Sequence, residues 1–184
     1  FDHRENFLNA DFLKIKTEEF FNGEPFAIIG NFPYNISSQI IFKIEENKHS
    51  IPMTYGMFQR EVAERIVASH GSKTYGILSV IFQSFFDCSI LQKISAGSFF
   101  PPPKVNSAMV LFKRKKDYSL PCDEKIFKRL VKISFNQRRK MLRNSIKSMV
   151  PNDEILNEEI FSKRPEQLSK ESFYDITNKI GKYI

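Results

Sequence analysis

Tryptophan is absent from this sequence, and its 184 residues include only 2 cysteines, 3 histidines and 7 glycines. Each scarcity excludes something. Cys88 and Cys122 can build neither a disulfide framework nor a zinc knuckle, so a reducing, cytoplasmic setting is expected. The scattered histidines His3, His49 and His70 give no ligand cluster, and no metal is expected. No apolar run approaches ~18 residues, which excludes a membrane-spanning helix. Charges occupy Phe1-Asp2-His3-Arg4-Glu5, where an export signal would be apolar. No two glycines form Gly-x-Gly. Gly71-Ser72-Lys73-Thr74-Tyr75-Gly76 has the spacing of a phosphate loop, but Ile77-Leu78 follow where Lys-Ser/Thr is required. A Gly-x-Ser-x-Gly elbow and a His-Glu-x-x-His helix are both missing, which argues against hydrolases.

What is present is enough apolar mass for a core: 41% of residues are hydrophobic, 19 of them phenylalanine, against 27% charged. The length suits one domain of moderate size, or a larger fragment with a small appendage. The net charge of +7 is unevenly placed. Residues 113–150 hold 13 basic and 3 acidic side chains, a local +10, so the remainder sums to −3. Such a block reads as a footprint for a polyanion, or as a solvated basic surface. A membrane-surface helix fits less well, because Arg138, Arg139, Arg143 and Lys147 are mixed with Asn and Gln.

The first two thirds alternate strand and helix patterns. Strands are expected at 6–10, at 26–30 (a buried parallel strand), at 54–58, 90–95 and 107–113. Helices are expected after a cap at Ser37 and Ser38, at 61–69 and at 76–86. Three consecutive prolines forbid regular pairing at the 97–103 corner. This alternation predicts an open, mostly parallel α/β sheet. From Asp123 onward the pattern is helical, implying a small all-helical domain of three or four helices, with the division at residues 1–116 and 117–184. The chain opens with Phe1, directly into what reads as the end of an α/β unit. It is therefore expected to be a fragment that lacks its N-terminal strand–helix units.

Asn31-Phe32-Pro33-Tyr34 stands at the carboxyl end of the 26–30 strand, where open α/β sheets bind ligands. The Asn31 amide oxygen and a nearby backbone carbonyl can accept the two hydrogens of an exocyclic amine such as adenine N6. Pro33 stiffens the turn, and Tyr34 offers a ring face for stacking. Two acceptors would localise a lone pair that is otherwise delocalised into the ring, and aim it at an electrophilic methyl group. The same tetrad also suits a strand-ending turn with an aromatic lid.

Six segments in register carry a family resemblance: Asn31–Ser37, Gln59–Arg65, Tyr75–Val80, Phe99–Ser107, Gln137–Ser145 and Arg164–Leu168. Together they resemble the ribosomal RNA adenine dimethyltransferases that use S-adenosylmethionine, specifically those acting on small-subunit (16S) rRNA. The resemblance implies a Rossmann-like methyltransferase sheet with its N-terminal units missing, followed by the small all-helical C-terminal domain. It implies a base-binding and catalytic set of Asn31, Phe32 through its carbonyl, Pro33, Tyr34 and Phe99, the last stacking on an extruded adenine. It also implies cofactor contacts from Asp11, Phe12 and Asn31, and RNA contacts from Lys104, Arg138, Arg139, Lys140 and Arg143. Asp11 also suits a turn or cap acid, and Phe99 plain core packing.

The family's second motif residue is Leu where this chain has Phe32, and little effect is expected because the role is through the backbone. The family's glycine-rich cofactor loop and ribose-binding acid are absent, so roughly 70–80 residues are expected to be lacking. S-Adenosylmethionine binding by this chain alone should be weak or nil. The expected partner is small-subunit rRNA within a pre-30S particle, met by a monomer with no membrane association. Two other readings are a sister enzyme acting on large-subunit rRNA, of the antibiotic-resistance type, and a non-catalytic ribosome-assembly factor. Residues 61–65, 75–80 and 138–145 favour the small-subunit reading.

Overall fold

The computed structural model describes residues 8–150 and 154–184. Four strands form one sheet: β1 (Ala27–Asn31), β2 (Met53–Gln59), β3 (Phe86–Ile94) and β4 (Ser107–Arg114), in the order β1-β2-β4-β3. β1 pairs with β2 in parallel, whereas β4 runs antiparallel to both of its neighbours. The mostly parallel sheet expected from sequence is thus corrected to a mixed one. The proline-rich corner between β3 and β4 cannot form a crossover helix, so β4 returns antiparallel beside β3.

Among the described residues β1 is an edge strand, not the buried one that its apolar run implied; Ile29 is 76% exposed. Among those residues it has a neighbour on one side only. Of the strand expected at 6–10, Asn6 and Phe7 lie outside the described residues, and residues 8–10 take no regular structure.

Three helices flank the sheet: α1 (Ser37–Glu46), α2 (Arg60–Ile66) and α3 (Ile77–Phe85). Ser37 does not cap α1 as expected. It is already helical, and its hydroxyl donates back to the Pro33 carbonyl at 3.3 Å. α3 passes directly into β3, which starts earlier than its apolar pattern indicated, because Phe85 and Phe86 are both fully buried across the junction.

After β4 the described residues contain α4 (Glu124–Asn136), α5 (Leu142–Ile146), α6 (Lys170–Ile180) and short 3₁₀ turns, with no strand. Asp123 caps α4 by accepting the Ile126 N–H at 2.8 Å. α4 buries Phe127, Leu130, Val131 and Ser134, the i, i+3, i+4, i+7 stripe of a helix docked on one face. Phenylalanines dominate the core. Phe82 stacks on Phe86 with centroids 4.5 Å apart and meets Phe112 edge-on at 4.8 Å. Phe135 from α4 contacts Tyr75 at 5.9 Å and Phe173 at 6.0 Å, so apolar packing runs on from the sheet layer into the helical segment.

Charge also joins the two segments. Lys128 of α4 contacts Glu45 of α1 and Glu124, both at 2.8 Å, and the buried Lys48 reaches Glu124 at 2.9 Å. Among the described residues no helix is long and apolar enough to cross a membrane.

Candidate active site

The end of β1 delivers Asn31 to an open cleft of about 430 Å³, whose wall includes Phe32, Pro33, Tyr34, Met57 and Phe99. Asn31 is exposed, and its amide forms no hydrogen bond among the described residues. Phe32 continues the β1–β2 ladder, its N–H donating to the Met57 carbonyl at 3.1 Å. The tetrad and Phe99, far apart in sequence, therefore face one space. Phe100, Pro101 and Pro103 complete the wall, and Phe100 is fully exposed. The sequence motif 99–107 contained these residues, but of those that line the cleft it assigned a role to Phe99 alone.

The Phe32 side chain needs room, and two glycines provide it. Gly30 and Gly56 are cross-strand partners. A Cβ on Gly56 would lie 2.4 Å from Phe32 Cε2 and 2.6 Å from the Gly30 carbonyl oxygen. The ring fills that gap and stacks on Phe58, with centroids 4.6 Å apart and planes 23° apart. Phe32 is thus buried in the core, and the same residue borders the cleft.

Tyr34 is held by Ser107, the first residue of β4. The two hydroxyls are hydrogen-bonded, and Ser107 is fully buried. Sequence reading missed this contact; Ser107 closes the 99–107 motif without any chemistry that marks it as Tyr34's partner.

Asp11 and Phe12 stand outside the cleft wall. Asp11 is exposed; its Oδ1 accepts the Leu13 N–H at 3.0 Å, and Lys14 lies 3.8 Å from its Oδ2. Locally it is the turn acid that its sequence context allowed. Phe12 packs part-buried against the core.

The model for the family described as ribosomal RNA adenine dimethylase matches residues 1–182. The chain belongs to this family. It is similar to the ribosomal RNA small subunit methyltransferase A of Flavobacterium johnsoniae, 52% identical over 96% of this chain and 68% of that protein. The same-named protein of Bacteroides thetaiotaomicron is 52% identical over 96% of this chain and 66% of its own length. The chain thus spans about two thirds of the length of these relatives. Among solved structures, a dimethyladenosine transferase from Plasmodium falciparum superposes with a TM-score of 0.79 at 24% identity, over 96% of this chain and 72% of that one. The 23S rRNA methyltransferase ErmE superposes with a TM-score of 0.64 at 22% identity, over 93% and 71%. These likenesses establish the Rossmann-like methyltransferase fold.

The basic segment breaks the helical pattern expected from Asp123 onward. α4 ends at Asn136, residues 137–141 form a turn, and α5 begins at Leu142. The buried Leu142 and Ile146 dock α5. Arg139 and Lys140 stand exposed on the turn, and Arg143 is half-buried. Arg138 turns inward, its Nη2 donating to the Ser72 carbonyl at 3.2 Å. None of the four forms an ion pair among the described residues. Lys104 is exposed, beyond the cleft wall.

Part of the +10 block is spent inside the fold. Arg114 donates to the carbonyls of Lys48 and His49 at 2.6 and 2.7 Å, and lies over the Tyr118 ring. Lys115 donates to the Gln83 carbonyl at 2.6 Å, and burial, then Lys170, pushes its pKa below the ordinary lysine value. Arg114 and Lys115 are thus withdrawn from the surface available to a polyanion, whereas Arg139 and Lys140 of the 137–141 turn remain exposed.

Proposed function

We propose that this chain carries the base-binding and RNA-binding part of an S-adenosylmethionine-dependent enzyme that dimethylates adenine N6 in small-subunit rRNA. The division into a methyltransferase part, residues 1–116, and a helical RNA-binding part, residues 117–184, belongs to the same proposal. So do action on a pre-30S particle in the cytoplasm and a monomeric state. One observation carries the reading: the Asn31 turn and Phe99 share a single open cleft.

In that cleft the Asn31 amide oxygen and the Phe32 carbonyl would accept the two hydrogens of an extruded adenine's N6 amine. Tyr34, steadied by Ser107, and Phe99 would hold the base by its faces. Holding both N–H groups orients the nitrogen lone pair and removes the entropy of searching for an attack geometry. After one methylation a single N–H remains, and one acceptor still positions it for the second.

The chain's residues fit one side of the cofactor. Asn31 has its amide unspent, and the Asp11 carboxylate faces solvent beside Phe12. When bound, S-adenosylmethionine supplies an activated methyl group. The 184 residues contain no Gly-x-Gly loop, so on their own they should bind it weakly or not at all. Micromolar binding in a calorimetric titration of this chain would contradict that.

The deciding experiment is Asn31→Ala in a polypeptide that also carries a glycine-rich cofactor loop. Loss of one transition-state acceptor should slow methylation by about 10²–10³ with RNA affinity nearly unchanged. A rate within about tenfold of the parent would make Asn31 structural.

A further inference from the structure

Two of the family-like segments take no part in the cleft described above: residues 59–65 and 75–80. The fold brings them together, with Arg138, around a separate cavity of about 710 Å³ between α1, α2, α3 and the end of α4. Its framework is fixed by hydrogen bonds. The Ser79 hydroxyl donates to the Arg65 carbonyl at 2.5 Å and accepts the Gly76 N–H at 3.0 Å. Gln83 Nε2 donates to the carbonyls of Ile66 and Ala68 at 2.5 and 2.9 Å, locking α3 onto the end of α2. Arg138 holds the 71–76 loop through Ser72.

The lining has two characters. Phe42 and Phe135 offer half-buried apolar rings, and a Cβ on Gly76 would meet nothing within 4 Å, so the backbone there borders open space. Lys73 and Arg138 supply positive charge: neither forms an ion pair among the described residues, whereas Arg65 is matched by Glu61 at 2.5 Å. The cavity also leads outward. A second depression of about 390 Å³ shares Phe135 and Arg138 with it, and adds Arg139 and Lys140. An electropositive track thus runs from the basic turn into an aromatic-walled hollow.

We propose that this hollow is a subsite for one unpaired RNA nucleotide other than the target adenine. Its base would lie against Phe42 and Phe135, and its phosphate between Lys73 and Arg138. The volume is that of an organic ligand pocket, and π faces beside cations are the chemistry that holds splayed nucleotides rather than a stacked duplex. An acidic peptide would use the cations and leave the rings idle. The inference rests on the RNA reading above and deepens it: the substrate must present a second flipped or looped-out nucleotide.

The test compares binding of two RNAs to the 184-residue chain: a hairpin with an unpaired loop, and its stem closed into continuous duplex. Lys73→Ala and Gly76→Val are expected each to weaken loop binding by about tenfold and duplex binding by less than about twofold. Gly76 has an extended backbone, φ −170° and ψ −161°, that valine adopts, and the added side chain enters open space at the wall of the hollow. Thermal unfolding verifies that both variants fold. Lys73 is exposed, so Lys73→Ala decides the matter if Gly76→Val does not fold. If the parent chain binds neither RNA, the RNA reading and the subsite fall together. If the parent binds and Lys73→Ala either changes nothing or weakens both RNAs alike, only the subsite is overturned.

Discussion

The hydroxyls of Tyr34 and Ser107 are hydrogen-bonded across 73 residues of sequence, joining the turn after β1 to the start of β4. Ser107 is wholly buried and Tyr34 half-buried, so the bond satisfies an interior polar group and fixes a ring of the cleft at once. Tyr34→Phe should cost about 1–3 kcal/mol of stability, because it strands the Ser107 hydroxyl. Ser107→Ala should cost less, since water reaches the phenol. Urea unfolding of both single variants and the double variant should yield a coupling of about 0.5–1.5 kcal/mol. Strict additivity would show that the two hydroxyls act independently.

Gly56→Ala should be among the most harmful single-methyl additions in this chain. The new Cβ would stand 2.4 Å from the Phe32 ring and 2.6 Å from a backbone oxygen, and only the ring can move. Overpacking of this kind costs roughly 1–3 kcal/mol. Displacing the ring also drags the Phe32 backbone away from Met57 and distorts the cleft. A denaturation midpoint equal to that of the parent would refute the close approach.

Acid should loosen the contact between α1 and α4. Burial alone would raise the Glu124 pKa, but hydrogen bonds from Lys128 and Lys48 outweigh it and hold it below the ordinary glutamate value. A lowered folded-state value contributes stability above the unfolded value of about 4.3, and that stability is lost as pH falls through the folded one. Glu124→Gln should therefore flatten the fall in stability below about pH 4.3. Urea midpoints measured between neutral pH and strong acid test this, and an unchanged acid limb would count against it.

The turn cations should act as phosphate ligands. Arg139 and Lys140 are exposed, Arg143 is half-buried nearby, and no ion pair among the described residues occupies them. Replacing all three by Ala should weaken RNA binding whatever the sequence. It should also make the slope of log affinity against log salt shallower by about two units, at ~0.7–0.9 per contact. A slope that does not move would assign the cluster to folding or solubility.

The sequence by itself pointed to most of the element types, to the family, and to a tetrad whose groups suit a base. Those are local properties: apolar period, turn chemistry, and a tetrad whose donors and acceptors are set by residue type. It overstated the parallel character of the sheet and the burial of β1, because an apolar run records that a strand is apolar without naming its neighbours. It read the chain as helical from Asp123 onward, because nothing local at 137–141 reveals that Leu142 and Ile146 dock on their own short helix after a turn. Only the tertiary structure decided that Gly30 and Gly56 make space for Phe32, that Ser107 holds Tyr34, and that Arg114 and Lys115 are spent on carbonyls. Each of these depends on which groups a closed, densely packed core forces together. Packing is set by volume and by hydrogen-bond satisfaction across long sequence separations, and no local pattern encodes those.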